Sequence, residues 1–196
     1  MKEISGHFLY DGKHTTQQVP DIKLYFEQLL CIENFEVIVE LGTSYGGLTY
    51  ILHNIVKENN LNHNIHTFDF SYKNYVEDLL KEINCTYHIL DERDEIYKKT
   101  VVNLLTNHSK VLLLCDGGNK KEEFNRYSEY LKKGDIIMAH DYAYNANVFE
   151  NEIKNKYWNW FEIEFLDIEE SIKTYNLIEY PKVNFKSAAW ACWLKT

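Results

Sequence analysis

The sequence has 196 residues, 45% of them hydrophobic and 15% aromatic, which is enough for one sizeable core but short for two full domains. Its formal net charge of -9 disfavours nucleic acid and anionic membranes as main partners, because both are bound chiefly by clustered Lys and Arg. We therefore expect one domain over residues 1–196, with an N-terminal segment and helix (1–34) followed by a sheet core (35–196).

Short apolar runs alternate with helical patterns along the chain, which is the signature of βαβ units and a parallel sheet. The first helix is expected from Val19-Pro20-Asp21, where the proline suits a first turn, to about Leu30. Strands are predicted at 35–41, 65–70, 86–90, 110–116 and 135–140. The helices between them are predicted at 48–57, 72–83, 95–105 and 122–131.

The pattern changes after Asp141. One more helix is predicted at 147–157, followed by two β-rich stretches at 160–166 and 188–194 with no further helix between them. Two strands in succession indicate an antiparallel hairpin at one edge of the sheet. The predicted fold is α/β: a doubly wound, mostly parallel seven-stranded sheet with an antiparallel C-terminal hairpin.

A glycine-rich loop follows the first predicted strand, and in an open parallel sheet the ligand lies outside the carboxyl ends of the strands. Gly42 permits a tight turn, while Gly46 and Gly47 let a ligand approach the backbone where a helix begins. The spacing G-x-x-x-G-G, with no Lys-Ser or Lys-Thr after it, matches neither a dinucleotide fingerprint nor a P-loop. Glu40 would repel a pyrophosphate and suits a ligand that carries an ammonium and a sulfonium. Asp69, at the end of the second strand, is placed to accept hydrogen bonds from ribose hydroxyls.

Four segments carry a family resemblance. In order along the chain, ELGTSYGG (40–47), TFDF (67–70), LLLCDGGN (112–119) and LKKGDIIMAHD (131–141) resemble the motifs of class I S-adenosylmethionine-dependent methyltransferases. The stretch from 15–21 through Tyr25 to Gly47 is similar to the cephalosporin hydroxylase and rhamnosyl O-methyltransferase branch. The D-G-G-x and later H-D elements resemble the macrocin O-methyltransferase group.

The resemblance implies an S-adenosylmethionine site in the loop 40–47 and at the following strand ends. It implies that the loop holds the methionine end, chiefly through Glu40, Gly42, Ser44 and Gly46, that Asp69 holds the ribose, and that one of two neighbouring acids holds the adenine. The implied cofactor-binding residues are Glu40, Gly42, Thr43, Ser44, Tyr45, Gly46, Gly47, Asp69, Phe70, Asp91 or Glu92 for the adenine, and Asp116.

Asp116, His140 and Asp141 follow the fourth and fifth predicted strands, so crossovers bring them to the sheet edge that carries the glycine loop. Two carboxylates and an imidazole favour magnesium, manganese or calcium over a thiolate-bound metal. The other interpretation is a turn-capping aspartate and a hydrogen-bonded histidine. In the similar metal-dependent O-methyltransferases a cation at such strand ends orients the acceptor hydroxyl and lowers its pKa. Mg²⁺ or Mn²⁺ is therefore a candidate cofactor at these three residues.

The resemblance leaves the catalytic base open. In similar enzymes the position of Asn119 is often a histidine that acts as the base, and asparagine cannot take a proton at neutral pH. His140, Asp141 or His14 could replace it, or the acceptor could be acidic enough to need no base. We assign His140 and Asp141 as the catalytic candidates. The remaining histidines lack ligand spacing and are interpreted as structural: His53, His63, His66, His88 and His108.

Several other features are interpreted without a catalytic role. The lysine pairs at 98–99, 120–121 and 132–133 lie near acidic residues and are expected on solvated helix faces. The cysteines form no C-x-x-C pair and are expected to be reduced packing residues: Cys31, Cys85, Cys115 and Cys192. The aromatics after the fifth strand are expected mostly in the core, although they could wall an acceptor pocket: Tyr142, Tyr144, Trp158 and Trp160. Residues 169–187 are expected to form a substrate-covering loop, because long connections are usually functional.

The N-terminus lacks the apolar core of a secretory signal, and no apolar run approaches the roughly 18 residues of a membrane span, so we expect a cytoplasmic location.

The first functional hypothesis is O-methylation of a hydroxyl on a sugar or secondary metabolite, with or without a divalent cation. Its expected partner is a small-molecule acceptor, without nucleic acid or membrane, and the protein could be a homo-oligomer. The alternative is an S-adenosylmethionine-binding regulatory or assembly protein without transferase activity, which Asn119 favours. Nicotinamide-dependent oxidoreduction is disfavoured by the glycine spacing and by Glu40.

Overall fold

The computed structural model describes residues 9–14, 21–71, 74–83 and 85–196. In chain order the elements are β1 (Leu9–Tyr10), β2 (Lys13–His14), α1 (Ile22–Ile32), β3 (Val37–Leu41), α2 (Gly47–Glu58), β4 (Asn64–Asp69), α3 (Asn74–Glu82), β5 (Thr86–Ile89), α4 (Glu95–Asn107), β6 (Val111–Cys115), α5 (Lys120–Tyr127), β7 (Ile136–Ala139), β8 (Tyr142–Ala143), α6 (Ala146–Val148), β9 (Ile163–Glu164), α7 (Phe165–Thr174), β10 (Leu177–Glu179) and β11 (Ala191–Lys195).

One large sheet has the strand order β10-β11-β7-β6-β3-β4-β5. Strands β3 to β7 run parallel, whereas β11 is antiparallel to β7 and β10 is antiparallel to β11. The chain moves outward from β3 to β5 and then returns to β6 on the other side of β3. The strand order therefore reverses between β3 and β6, where sheets of this kind bind their ligands. The predicted doubly wound, seven-stranded sheet with an antiparallel hairpin is confirmed.

Helices cover both faces of this sheet. Every residue of β3 and β6 is buried, as expected for central parallel strands. Because side chains alternate along a strand, Ile38 packs in one apolar cluster with Phe26 of α1, while Val37 and Val39 pack in another with Phe124 of α5. The two clusters hold the sheet between the helices on its two faces, and this packing fixes the positions of the strand ends.

The predicted strands agree with β3 to β7 to within about two residues at each end. Helices α2 and α4 match the predictions at 48–57 and 95–105 equally well, and α5 begins two residues earlier than expected. The start of the predicted helix at 72–83 and the residues 15–20 of the N-terminal motif lie outside the described residues.

The prediction of a strand over 160–166 is wrong. Only Ile163–Glu164 is extended, and it pairs in parallel with β8 instead of joining the large sheet. A helix begins directly afterwards because Glu164 and Asp167 form a reciprocal capping box at its start. Helix α7 therefore occupies a region where no helix was expected, and the closing hairpin consists of β10 and β11.

The region before β9 and the expected covering loop also differ from the predictions. The helix predicted at 147–157 is only the short α6, capped by Asn145, followed by one wide helical turn at Phe149–Ile153. The expected covering loop over 169–187 is largely ordered by α7 and β10, which leaves the connection 180–190 before β11. All four cysteines are free thiols, and Cys31 is exposed, so the expectation that it packs in the core is wrong. Across the described ranges every helix is too short or too polar to cross a bilayer.

A buried carboxylate ties three distant segments together at the end of α1. Glu33 accepts hydrogen bonds from Lys110 Nζ (2.5 Å), Tyr180 Oη (2.7 Å) and Lys182 Nζ (2.6 Å). Burial alone would raise the pKa of Glu33, but these hydrogen bonds outweigh it and lower the pKa to about 2. The carboxylate therefore links α1 to the start of β6 and to the connection between β10 and β11.

We expect Glu33→Gln to lower the free energy of unfolding at pH 7 by about 1–3 kcal/mol, because it leaves two lysines without their charged partner. Since the folded-state pKa lies below the ordinary 4.5, the carboxylate stabilises the fold above pH 4.5, and this contribution is lost as the pH falls towards 2. Urea titrations at pH 7 and at pH 3 measure the difference. The control is Glu58→Gln, which removes an exposed partner of Lys23. An equal effect of the two substitutions at pH 7 would contradict the assignment.

Candidate functional site

The loops after β3 and β6 touch at Gly42. This glycine has φ of 95°, and both Gly42 N and Thr43 N donate to the carbonyl oxygen of Phe68 at 2.9 Å. A Cβ on Gly42 would lie 2.1 Å from the carbonyl oxygen of Asp116. Only glycine fits here, because a methyl group would push apart the two strand ends that frame the ligand site.

Asp69 is held at the tip of β4 and faces this loop. Its Oδ2 accepts a hydrogen bond from Ser44 N (2.8 Å) and its Oδ1 accepts one from Ser71 N (3.2 Å). Ser44 adopts φ of 49°, a conformation that aims its N–H at the carboxylate. The backbone of the glycine-rich loop and of Ser71 thus fixes this acid in place.

An open cleft of about 260 Å³ lies between these strand tips. Six of the predicted cofactor-binding residues line it: Gly42, Ser44, Asp69, Phe70, Glu92 and Asp116. The lining also contains residues that the sequence analysis missed: Phe68, Ser71, Leu90, Tyr97, Gly117 and Gly118. The pair Gly117-Gly118 could have been found from the sequence, since it follows a strand end just as Gly42 does.

Glu40 does not line the cleft. Its side chain is buried beneath the loop, where Oε2 accepts hydrogen bonds from the hydroxyls of Thr49 (2.5 Å) and Thr67 (2.6 Å). Burial raises the pKa of Glu40 to about 8, and the carboxylates of Asp116 and Asp69 add to the shift. Glu40 is therefore a neutral carboxyl group that braces β3 against α2 and β4, and the expected direct contact with a ligand ammonium is not what this geometry offers.

The other predicted loop residues do not line the cleft. Thr43 is buried against Thr67, with their hydroxyl oxygens 2.6 Å apart, and Gly47 is the buried first residue of α2. Gly46 packs against α3, since a Cβ there would lie 3.1 Å from Leu79. Tyr45 is partly buried and lies outside the cleft lining.

The structure distinguishes between the two acids proposed for adenine. Asp91 lies outside the cleft and is engaged by the backbone and guanidinium of Arg93. Glu92 lines the cleft, and its carboxyl oxygens would lie 3.2–3.3 Å from a Cβ on Gly118. Glu92 is thus the acid that a ligand in the cleft would meet.

Asp116, His140 and Asp141 converge at the tips of β6 and β7. One ligand atom of each lies within 4.8 Å of the others, and no second group of three such side chains comes together in the described part of the chain. His140 Nδ1 lies 3.0 Å from Asp116 Oδ1 and 3.5 Å from Asp141 Oδ1. Asp141 adopts φ of 58°, which turns the chain sharply after β7. The two loops thereby place both carboxylates against one imidazole nitrogen.

Lys120 completes this group and was missed, because its pair with Lys121 was interpreted as a solvated helix face. Lys121 is exposed and pairs with Asp167, but Lys120 is only 7% exposed. Its ammonium lies 2.9 Å from Asp141 Oδ2, 2.8 Å from Glu162 Oε2 and 3.8 Å from Asp116 Oδ1. The interpretation of this lysine as solvated is wrong.

Two indole rings enclose His140. The centroid of Trp190 lies 4.7 Å from the imidazole in a stacked arrangement, and that of Trp158 lies at 4.9 Å. Trp158 Nε1 also donates to Asp141 Oδ1 at 2.5 Å. Among the aromatic residues singled out in the sequence, Trp158 thus contacts the charged group directly, through the His140 ring and the Asp141 carboxylate.

The charges of this group reinforce one another. Burial alone would lower the pKa of His140, but Asp116 and Asp141 outweigh it and raise that pKa above its ordinary value. Burial alone would raise the pKa of Asp141, but the positive charges of His140 and Lys120 outweigh it and lower that pKa. The pKa of Lys120 is raised in spite of its burial, because Asp116, Asp141 and Glu162 stabilise the ammonium. Each group therefore favours the charged form of its neighbours.

The remaining histidines and Asn119 show no catalytic arrangement. His66 Nδ1 and His88 Nε2 lie 3.0 Å apart on neighbouring strands, and His63 contacts the backbone carbonyl of Phe35. Asn119 caps α5, with Oδ1 accepting from Glu122 N at 3.1 Å. The side chain of His14 lies outside what the structure describes.

A larger groove of about 940 Å³ lies beside the charged group, between β8, β11 and the connection 180–187. Its walls include the rings of Tyr142, Tyr144, Tyr180 and Trp190, with Glu179 and Lys182 also lining it. Trp190 belongs to the groove and stacks on His140, while Asp116 belongs to the cleft and contacts the same ring. His140 itself is buried and lines neither cavity, but it contacts Trp190 of the groove and Asp116 of the cleft.

The donor set suits a divalent cation in its chemistry, but its atoms are engaged. Asp141 Oδ1 accepts from Trp158, Asp141 Oδ2 contacts Lys120, and His140 Nδ1 faces Asp116. A cation would have to displace the ammonium of Lys120 from between two carboxylates. With Lys120 in this position the three residues do not fit a metal ion.

Solved structures share this fold. The apo structure of CmcI gives a TM-score of 0.66 at 14% identity, covering 96% of this chain and 76% of that chain, and a Mg-SAM structure of CmcI gives the same values. A Klebsiella pneumoniae protein provisionally assigned as an O-methyltransferase gives 0.58 at 14% identity, covering 94% of this chain and 84% of that chain. A Staphylococcus aureus protein provisionally assigned as a caffeoyl-CoA O-methyltransferase gives 0.57 at 15% identity, covering 89% and 82%.

These likenesses show that the chain has the Rossmann-like fold of such methyltransferases, and at this identity they show the fold alone. The sequence matches no family model and no curated protein.

Glu40→Gln tests whether Glu40 is a neutral brace. The amide keeps an oxygen that accepts the threonine hydroxyls but does not titrate. Because the folded-state pKa of Glu40 is raised from 4.5 to about 8, its contribution to wild-type stability is fully present below pH 4.5 and is lost as the pH rises through 8. We therefore expect the stability of the variant relative to wild type to increase between pH 4.5 and 8, as measured by urea unfolding. A relative gain of the wild type over this range would show an ionised, stabilised Glu40 instead.

Proposed function

We propose that this protein transfers a methyl group from S-adenosylmethionine to a hydroxyl of a small molecule, of the sugar or secondary-metabolite class. The observation that carries the proposal is that His140 contacts one residue of each of two cavities: Asp116 of a cleft at the point of strand reversal and Trp190 of an aromatic groove. A transferase needs two adjoining sites for its two reactants, whereas a protein that only binds the cofactor needs one.

The cleft offers groups for each part of the cofactor. Asp69 accepts the ribose hydroxyls, Glu92 meets the adenine amino group, and the exposed ring of Phe70 supplies an apolar surface for the base. The backbone at Gly42 and Ser44 leaves room for the methionine end, with Asp116 at the boundary to the groove. The formal net charge of -9 agrees with a cationic ligand rather than a polyphosphate.

The groove supplies the acceptor site. Aromatic faces pack against the apolar faces of a sugar or a phenolic ring, and charged residues such as Glu179 and Lys182 hydrogen-bond its other hydroxyls. This mixture favours a polar, ring-shaped acceptor over a lipid chain.

His140 and Asp116 form the proton-accepting pair. The nearby carboxylates make the ring more basic, and in its neutral form with Nδ1–H donating to Asp116 Oδ1 the ring would have a lone pair on Nε2 to accept a proton. Asp141 orients the ring from the same side, held in turn by Trp158. When S-adenosylmethionine is bound it supplies a methyl group activated by the sulfonium. Nε2 of His140 would take the proton that the acceptor hydroxyl loses as its oxygen becomes methylated.

The cleft is tested by calorimetry with S-adenosylmethionine. We expect Asp69→Ala to weaken binding at least about 10-fold, because the ribose hydroxyls lose a charged acceptor. The matched control is Asp91→Ala, an acid at the next strand end that pairs with Arg93 outside the cleft and should bind as wild type does. Equal binding by the two variants would count against the cleft, and binding of NAD in place of S-adenosylmethionine would count against the cofactor.

The base is tested by turnover, measured as release of S-adenosylhomocysteine with a panel of sugars and phenols. We expect His140→Gln to lower kcat by about 10²–10⁴-fold while binding S-adenosylmethionine normally, because it removes the proton acceptor. Asn119→Ser, which keeps a helix cap, should leave the rate unchanged. A fully active His140→Gln would point to His14 or to a more acidic acceptor. A wild-type protein that binds the cofactor but turns over no acceptor would favour the regulatory or assembly role.

A further inference from the structure

We propose that the ammonium of Lys120 is a built-in counterion that takes the place of a divalent cation between Asp116 and Asp141, so that this site works without a metal. The inference rests on the proposed function for its catalytic meaning. Its structural basis is the position of the Lys120 side chain.

The geometry fixes this ammonium from three directions. Lys120 Nζ lies 3.2 Å from the carbonyl oxygen of Gly117, 2.9 Å from Asp141 Oδ2 and 2.8 Å from Glu162 Oε2. A lysine ammonium has three N–H donors, and here each has an oxygen within hydrogen-bonding distance. The side chain is therefore held in place and is not free to swing out of the site.

The ammonium supplies positive charge where a metal would otherwise supply it. Three carboxylates surround this ammonium, namely Asp116, Asp141 and Glu162, and the first two are the acids at the tips of β6 and β7. A divalent cation bound to Asp141 Oδ2 at about 2.1 Å would lie no more than about 5 Å from Lys120 Nζ. At that distance in a buried site the repulsion between the two cations is strong. The ammonium and the metal thus exclude each other.

Burial makes the role specific to this lysine. Lys120 is 7% exposed, whereas the side chain of its neighbour Lys121 is 54% exposed and pairs with Asp167 on α7. The two residues share the first turn of α5 and differ by one step of the helix. Lys121 is therefore a matched control for substitutions at Lys120. We regard Lys120 as a positioning residue, because it acts on Asp116 and Asp141 and does not line the cleft.

The experiment is a Mn²⁺ titration of the metal-free protein, without cofactor or acceptor, followed by electron paramagnetic resonance. We expect the wild type and Lys121→Gln to bind no stoichiometric Mn²⁺ at concentrations up to about 1 mM. Lys120→Gln should gain one Mn²⁺ site per chain, with a dissociation constant at least about 10-fold below that limit. Adding Asp141→Asn to Lys120→Gln should remove this site. A merely structural lysine would not produce a gain of metal affinity.

Two results overturn the proposal: one tightly bound Mn²⁺ per chain in the wild type, or a folded Lys120→Gln that gains no site. If circular dichroism shows Lys120→Gln unfolded, the wild-type titration decides alone. Turnover of the wild type should also be unchanged by EDTA, and a loss of rate restored by Mn²⁺ would count against the proposal. Because the titration needs no methyl transfer, its outcome is separate from success or failure of the proposed activity.

Discussion

The backbone of Gly42 passes so close to the Asp116 carbonyl that a side chain at position 42 would lie 2.1 Å from its oxygen. This approach holds the carboxyl ends of β3 and β6 together at the place where the strand order reverses. On one side of the contact, Ser44 and Asp69 form the cleft, and on the other, Asp116 meets His140. The geometry of the cleft, and the position of Asp116 beside His140, depend on a contact that only glycine permits.

Charge is distributed differently in the layers around this contact. Glu40, beneath the loop, is contacted by threonine hydroxyls, and its burial raises its pKa to about 8 and favours the neutral form. Asp116 and Asp141, at the tips of β6 and β7, have Lys120 and His140 beside them, and these positive charges lower the pKa of Asp141. Glu40 and Asp141 are both buried, yet their pKa values shift in opposite directions, because hydroxyl groups contact Glu40 whereas cations contact Asp141.

The sequence was sufficient for the parallel sheet because β6 and β7 are continuous apolar runs and β3 is apolar apart from Glu40, a pattern with few other interpretations. It was insufficient after β7. There the β-rich composition around Trp160 concealed a helix start, although Glu164 and Asp167 have capping-box spacing. In the site, acids at strand tips were correctly brought together, but the inward direction of Lys120 was not foreseeable. Adjacent helix residues differ by about 100° in direction, and two consecutive lysines carry no signal for which one is buried.

The connection between β10 and β11 packs on α1. Phe185 contacts the ring of Phe26, Ser187 Oγ lies 3.0 Å from Tyr25 Oη, and Glu33 holds Tyr180 and Lys182. Residues of this same connection line the aromatic groove. Because α1 and the connection 180–187 pack together, they form one structural unit beside the groove, and the two segments would have to be exchanged together to reshape that groove without disturbing the contacts around Gly42.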